Sequence, residues 1–167
     1  AAQSYVQSSF QNPIQTFQNN IIGTANLLEA VRITKYDKGE DEWNPTIVLV
    51  SSSEVYGQPE KNEIPIRETN PLRPISPYAV SKAACDLMGR QYYENFGLKI
   101  VRTRFFSHEG ARRGDIFALS SFIKQIVQQV RNKQSDIVVK VGNIYSVRTW
   151  AHIDDAVRAY WLCFSCP

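Results

Sequence analysis

Tyr78 and Lys82 stand four residues apart in Ser76-Pro77-Tyr78-Ala79-Val80-Ser81-Lys82. Side chains at i and i+4 share one helix face, so a phenol and an ammonium point into the same space where this stretch is helical. A free phenol has a pKa of about 10, and a nearby cation favours its phenolate. Such a pair can exchange a proton with a substrate hydroxyl near neutral pH. Upstream, Ser51-Ser52-Ser53-Glu54 follows the apolar run Ile47-Val48-Leu49-Val50. Hydroxyls and a carboxylate at the end of a buried strand lie where open α/β sheets put their chemistry. A bare Tyr-x-x-x-Lys also arises by chance in many helices. Strand, serines, acid, loop and Ser-Pro-Tyr-x-x-x-Lys in that order are far more specific.

The elements that must position these groups follow from periodicity and breakers. Tyr78 to about Phe96 reads as a helix with Ala83, Ala84, Leu87, Met88 and Tyr92 as its apolar face, and Gly97 is a natural C-cap. Ile47 to Ser51 reads as a strand covered on both faces, and Leu98 to Phe105 as the next strand. Before them, Asn12-Pro13 signals a helix start. From Ile14 to Arg32 the residues Ile21, Ile22, Ala25, Leu27, Leu28 and Val31 recur at helical spacing. Tyr36 to Pro45 is charged and reads as a surface loop. Gly57 to Pro77 is a long, proline-rich connection, and connections of that length are often functional. Helix, strand, loop, helix, strand is the rhythm of a parallel α/β sheet.

The pattern changes after Phe106. Ser107 to Gly114 reads as a polar loop, Phe117 to Val130 as a helix, and Ile137 to Val141 as a strand ending at Gly142-Asn143. Val147 to Trp150 is a short extended piece. Ile153 to Phe164 is a final helix with Asp154 and Asp155 in its first turn, where the helix dipole favours acids.

Composition narrows the function classes. The 167 residues are 43% hydrophobic and 21% charged, as in an ordinary globular chain with one good core. A net charge of +3 with scattered Lys and Arg does not suggest nucleic-acid binding. No apolar run approaches the roughly 20 residues that span a bilayer, so no membrane partner is expected. Cys85, Cys163 and Cys166 lack metal-ligand partners and read as reduced packing thiols of a cytoplasmic protein, with no metal site. The chain opens at Ala1-Ala2, its only methionine is Met88, and it contains no Gly-x-Gly-x-x-Gly. It therefore reads as an internal piece of a longer protein.

These motifs resemble the extended short-chain dehydrogenase/reductase family of nucleotide-sugar epimerases and dehydratases. Within that family the matching stretches are most similar to the GDP-mannose 4,6-dehydratases. They are Ala2-Gln3-Ser4, Ser51-Ser52-Ser53-Glu54-Val55-Tyr56-Gly57, Glu63-Ile64-Pro65, Glu68-Thr69, Ser76-Pro77-Tyr78, the loop from Phe106 to Gly114, Gly142-Asn143 and Arg148-x-Trp150. The resemblance implies a partial Rossmann-type, doubly wound parallel α/β sheet with part of a smaller substrate-binding domain. Residues 1–105 would be the later part of the NAD(P)-binding domain, and 106–167 mixed substrate-binding segments. It implies catalysis by Ser52, Glu54, Tyr78 and Lys82. Tyr78 and Lys82 would exchange the 4-hydroxyl proton, and Glu54 would remove the C5 proton and help expel the C6 hydroxyl. NADP or NAD would be held by Ala1, Ala2, Gln3, Ser4, Tyr78, Lys82, His108 and Arg113. Ser53, Ser107, Asn143 and Arg148 would contact the nucleotide sugar, GDP-mannose in the nearest match. A homodimer or homotetramer is implied by the helices 14–32 and 78–96. Four positions depart from the pattern: Ser52 replaces Thr, Ser107 replaces Asn, Thr149 replaces Asp and Gln15 replaces Tyr. A 4-epimerase, a 4-keto reductase, a UDP-glucuronate decarboxylase, or an inactive piece lacking the phosphate loop stay open.

Overall fold

Ser76 and Gly97 bound the longest helix as their chemistry requires. In the computed structural model, which describes residues 2–39 and 42–165, α4 runs Pro77–Phe96. Before it come α1 (Val6–Gln11), α2 (Pro13–Phe17), a wide-turn segment Gln18–Ile22, α3 (Gly23–Lys38), β1 (Ile47–Val50) and two short 3₁₀ turns, Ser53–Tyr56 and Lys61–Glu63. Then follow β2 (Ile100–Thr103), β3 (Ser107–Glu109), α5 (Ala118–Arg131), β4 (Trp150–His152) and α6 (Ile153–Ser165). The chain divides into two compact units, one of residues up to 106 and from 159, the other of residues 107–158. Ala1 and Cys166 lie outside the described residues.

In the first unit the Ser76 hydroxyl accepts from Ala79 N at 3.0 Å, Pro77 opens α4, and Gly97 at φ 61° closes it. Such a side-chain cap contributes about 1 kcal/mol. β1 and β2 pair in parallel, Ile47 opposite Ile100 and Val50 opposite Thr103. The ladder continues past the strand, with Ser51 N donating to Thr103 O at 2.8 Å and Ser53 N to Phe105 O at 3.0 Å. The backbone of the serine run is therefore fixed by sheet hydrogen bonds. Gly89 lets α4 lie against the strands, since a Cβ there would stand 2.8 Å from Leu49 Cδ2. Val55, Tyr56 and Ala83 form a core cluster with Ile66 and Leu72 against it. Full burial of one such apolar side chain contributes roughly 1.5–3 kcal/mol.

Several expectations are corrected. The single helix 14–32 is instead α2, the wide-turn segment and α3, and α3 continues to Lys38. It continues because Lys35 is buried and donates from Nζ to the carbonyls of Phe96 and Gly97, at 3.0 and 2.9 Å. β1 is not covered on both faces: Leu49 is buried, but Val50, on the opposite face, is exposed. The buried face of α4 is Tyr78, Ala79, Ser81, Lys82, Ala83, Cys85, Asp86 and Gly89, while Leu87 faces outward. Small residues permit the close strand contact. Asp86 is admitted because Arg102 and Arg104 of the neighbouring strand and its extension pair with it.

In the second unit the expected polar loop begins instead as β3, paired in parallel with β4, Ser107 opposite Trp150 and Glu109 opposite His152. Gly110 packs against Ile153, leaving no room for a side chain. The expected strand 137–141 has no strand partner among the described residues. Glutamine side chains of α5 take that place. The Gln129 amide exchanges two hydrogen bonds with the backbone of Val138, both 2.8 Å, and Gln125 does the same with Lys140, at 2.7 and 3.1 Å.

Candidate active site

A reciprocal latch joins the end of β1 to the first turns of α4. Lys82 Nζ donates to Val50 O at 2.8 Å, and Ser51 Oγ donates to the Lys82 carbonyl at 3.3 Å. The Lys82 ammonium lies 5.9 Å from the centroid of the Tyr78 ring, so the two side chains share one face as their spacing dictates. Both residues are largely buried. Burial pushes the Lys82 ammonium below its ordinary pKa, and the neighbouring Cys85 opposes that weakly. The same burial pushes the Cys85 thiol up, which fits a packing cysteine rather than a nucleophile.

Directly after the serine ladder the chain turns through a short 3₁₀ segment, Ser53–Tyr56. Ser52 is its N-cap, accepting from Glu54 N at 3.2 Å through Oγ. Ser53 and Glu54 follow at half-buried positions. Among the described residues, Glu54 makes no ion pair or side-chain hydrogen bond, so the backbone alone aims its carboxylate. Gly57 ends the turn at φ 62°, ψ −126°, and a Cβ there would stand 2.0 Å from Arg73 O. The long connection can therefore return past the acid only over a glycine.

A residue missed in the sequence ties the first loop to this helix. Asn20, in the wide-turn segment, is 1% exposed. Its Oδ1 accepts from Gln3 N at 2.8 Å, and its Nδ2 donates to Gln3 O at 3.1 Å and to Ser81 Oγ at 2.8 Å. The Ser81 hydroxyl in turn donates to Tyr78 O at 2.7 Å. Thus the backbone at Gln3 is fixed to the helix that carries Tyr78. An asparagine inside an apolar helical run is a poor helix former with a hydrogen-bonding motive, and that was the available signal. Ala2 and Ser4, on either side of Gln3, are exposed.

The other candidates lie in the second unit. Ser107 and His108 are on β3, Ser107 exposed and His108 half-buried. Arg113 stacks its guanidinium 3.6 Å from the Phe117 ring centroid and pairs with Glu109 at 3.7 Å. Asn143 closes a turn through its side chain, which accepts from Tyr145 N at 3.0 Å. Arg148 is exposed. Among the described residues, no group of three or more His, Cys, Asp or Glu could hold a metal, and no helix is long and apolar enough to cross a membrane.

The GDP-mannose 4,6 dehydratase family model matches residues 1–166. The chain belongs to that family. It is 36% identical over 161 residues to a GDP-mannose 4,6-dehydratase of Yersinia enterocolitica, a match covering 96% of this chain and 41% of that protein. It is 32% identical over 160 residues to a GDP-6-deoxy-D-mannose reductase of Pseudomonas aeruginosa, covering 96% and 50%. The structure of RMD from Pseudomonas aeruginosa complexed with NADPH superposes with a TM-score of 0.89 at 32% identity, over 99% of this chain and 54% of that one. DesIV, a dTDP-glucose 4,6-dehydratase from Streptomyces venezuelae with NAD and TYD bound, gives 0.79 at 29%, over 97% and 45%. The fold is thus the Rossmann-like α/β fold expected, in part. The chain spans about half the length of the relatives it matches, or less.

The donor set fits a nicotinamide ribose. An ammonium has three donors, and Lys82 gives one to Val50 O, leaving two for a diol. The backbone at Gln3 is tied through Asn20 to Ser81, the residue before Lys82 on the same helix.

Proposed function

We propose that the full-length protein carrying this chain is an NAD(P)-dependent nucleotide-sugar 4,6-dehydratase acting on GDP-mannose. Residues up to 105 would be the later part of the dinucleotide-binding domain and residues from 106 mixed substrate-binding segments. Tyr78 removes the proton of the 4-hydroxyl, with the Lys82 ammonium beside it, and Ser52 donates to the developing C4 oxygen. The nicotinamide, when bound, would supply the acceptor for the C4 hydride and its donor to C6 as a proton returns to C5, so that no net oxidant or reductant is needed. With C4 a ketone, the C5 hydrogen is acidic; Glu54 takes it and delivers a proton to the leaving C6 hydroxyl, which departs as water. Lys82 and the loop at Ala1, Ala2, Gln3 and Ser4 would hold the cofactor, together with His108 and Arg113. Ser53, Ser107, Asn143 and Arg148 would hold the nucleotide diphosphate sugar, where a guanidinium fork suits phosphate oxygens.

The observation that carries this reading is Glu54, a carboxylate with no ion pair among the described residues, one turn beyond the strand end that Lys82 clasps. A 4-keto reductase needs the Tyr78–Lys82 pair but no base for C5, and the similarity to a GDP-6-deoxy-D-mannose reductase makes it the second reading. The helices α3 and α4 present exposed Leu27, Ile33, Leu87 and Tyr93, which supports a homodimer or homotetramer through them. The cytoplasm is the compartment proposed for this protein, where cysteines such as Cys85 stay reduced.

The test is product analysis by mass spectrometry. Full-length protein with GDP-mannose and NADP or NAD should release one water from the sugar and, in heavy water, gain one deuterium at C5. Glu54→Gln should block that uptake. No dehydration, with reduction of a 4-keto-6-deoxy sugar by the reduced cofactor, would move the assignment to the reductase.

A further inference from the structure

Among the described residues no side chain pairs with Glu54, yet the turn beneath it is tied into a charged network that the chemistry above does not use. Tyr56, the last residue of that turn, is 4% exposed. Arg104 Nη1 donates to Tyr56 Oη at 2.9 Å and to the carbonyl of Glu68 at 2.9 Å. Its other two nitrogens donate to the Asp86 carboxylate, Nε to Oδ2 at 2.7 Å and Nη2 to Oδ1 at 2.9 Å. Arg102 adds Nη1 to Oδ1 at 2.7 Å. Asp86 is one helical turn beyond Lys82 on the same face of α4 and is fully buried.

One guanidinium therefore joins three segments: the helix carrying Tyr78 and Lys82, the turn carrying Glu54, and the connection at Glu68. Apolar packing of Val55 and Tyr56 with Ala83 sets the depth of the turn, and Arg73 N donates to Val55 O at 2.9 Å; packing of the Tyr56 ring alone does not fix where its hydroxyl end lies, because the hydrophobic effect is not directional. The planar fork is directional, with its donors at fixed angles. We infer that Arg104, acting through Tyr56 and Asp86, is a positioning residue that sets the Glu54 carboxylate against the C5 hydrogen while leaving the C4 chemistry of Tyr78 and Lys82 untouched. The inference rests on the dehydratase reading. Displacement of a catalytic group by about 1 Å can cost about a hundredfold in rate, so the effect belongs in one step and not in binding.

Two variants of the full-length protein test it. Tyr56→Phe keeps the buried ring and removes only the acceptor oxygen. Arg104→Lys keeps a positive charge beside Asp86 and loses the fork. Two steps are read separately: cofactor reduction by the 4-hydroxyl in a single turnover, and deuterium uptake at C5 of the sugar. C4 oxidation should stay within about twofold of the parent, while C5 exchange slows about tenfold in Tyr56→Phe and more in Arg104→Lys. KM for the sugar nucleotide should not move. Equal slowing of both steps, or unchanged C5 exchange in Tyr56→Phe, overturns the inference. Where Arg104→Lys fails to fold, Tyr56→Phe alone decides. A parent protein that takes up no C5 deuterium at all refutes the dehydratase reading itself, which is a different result.

Discussion

Removing the Asp86 carboxylate should cost the full-length protein about 3 kcal/mol of stability. The carboxylate receives hydrogen bonds from Arg102 and Arg104 at 2.7–2.9 Å and is fully buried. Breaking one side of a buried ion pair costs about 3–5 kcal/mol, because the remaining charge is left uncompensated. Two features place Asp86→Ala at the low end. The Arg102 side chain is 31% exposed and can turn to water, and Arg104 retains Tyr56 and Glu68 O. The decisive comparison is the double variant Asp86→Leu with Arg104→Met. It removes the stranded charge together with its partner, so it should be clearly less destabilised than the sum of the two single changes. Urea unfolding of each protein measures this. A loss below about 1 kcal/mol in Asp86→Ala, or strict additivity in the double variant, refutes the reasoning. The pH dependence supplies a sign. Burial pushes Asp86 up, but hydrogen bonds and charge from Arg104 and Arg102 outweigh it, and the net pKa lies below the ordinary carboxylate value. A depressed acid contributes stability that is complete above its unfolded pKa of about 3.9 and is lost as pH falls through the folded value. The stability gap between the parent and Asp86→Asn should therefore be flat from pH 7 to about pH 5 and close below about pH 4.

Tyr78→Phe should lower turnover by about a hundredfold to ten-thousandfold, the usual worth of a positioned general base. Calorimetry should find sugar-nucleotide affinity within about twofold of the parent; retained turnover would remove Tyr78 from the reaction. Gly57→Ala should destabilise the fold by about 1–3 kcal/mol from backbone strain alone, and further because the new Cβ meets Arg73 O. Thermal unfolding measures it, and a melting temperature unchanged from the parent would show that the connection does not need this close return.

The residues that were easy to read share one property: their partners lie nearby in sequence. Tyr78 and Lys82 meet because i and i+4 always meet on a helix, and α4 has strong local punctuation in Ser76-Pro77 and Gly97. The strand Ile47–Val50 likewise announces itself by an unbroken apolar run. The readings that failed depended on distant partners. Asp86 is 16 and 18 residues from its arginines, and nothing local marks a buried acid on a helix. The apolar run 137–141 has strand composition, but it is bound by Gln125 and Gln129, which neutralise its ladder groups without a neighbouring strand. β3 and β4 are three residues each, too short for any alternation to register. The wide turn at Gln18–Ile22 is set by Asn20, whose partners are Gln3 and Ser81.

The proposed reaction has two halves, and they stand on different supports. The proton exchange at C4 uses Tyr78 and Lys82, held by the latch between Lys82 Nζ and Val50 O and between Ser51 Oγ and Lys82 O. A hydrogen bond from a charged donor contributes about 1.5–3 kcal/mol, and a shift of strand against helix breaks both contacts at once. The elimination at C5 and C6 uses Glu54, held by a four-residue turn whose outer end hangs on Tyr56 and Arg104. The turn shares its first ladder bond, Ser53 N to Phe105 O, with the sheet, while its later residues are tied to the long connection, through Arg73 N to Val55 O, and not to the strand. Changes at the latch should therefore slow both halves, because C5 acidity depends on the C4 ketone. Changes at the tip should slow only the second. Ser51→Ala and Tyr56→Phe each remove one hydroxyl from these two supports. If Ser51→Ala slowed elimination alone, the latch would not be what holds Tyr78 and Lys82 for the first half.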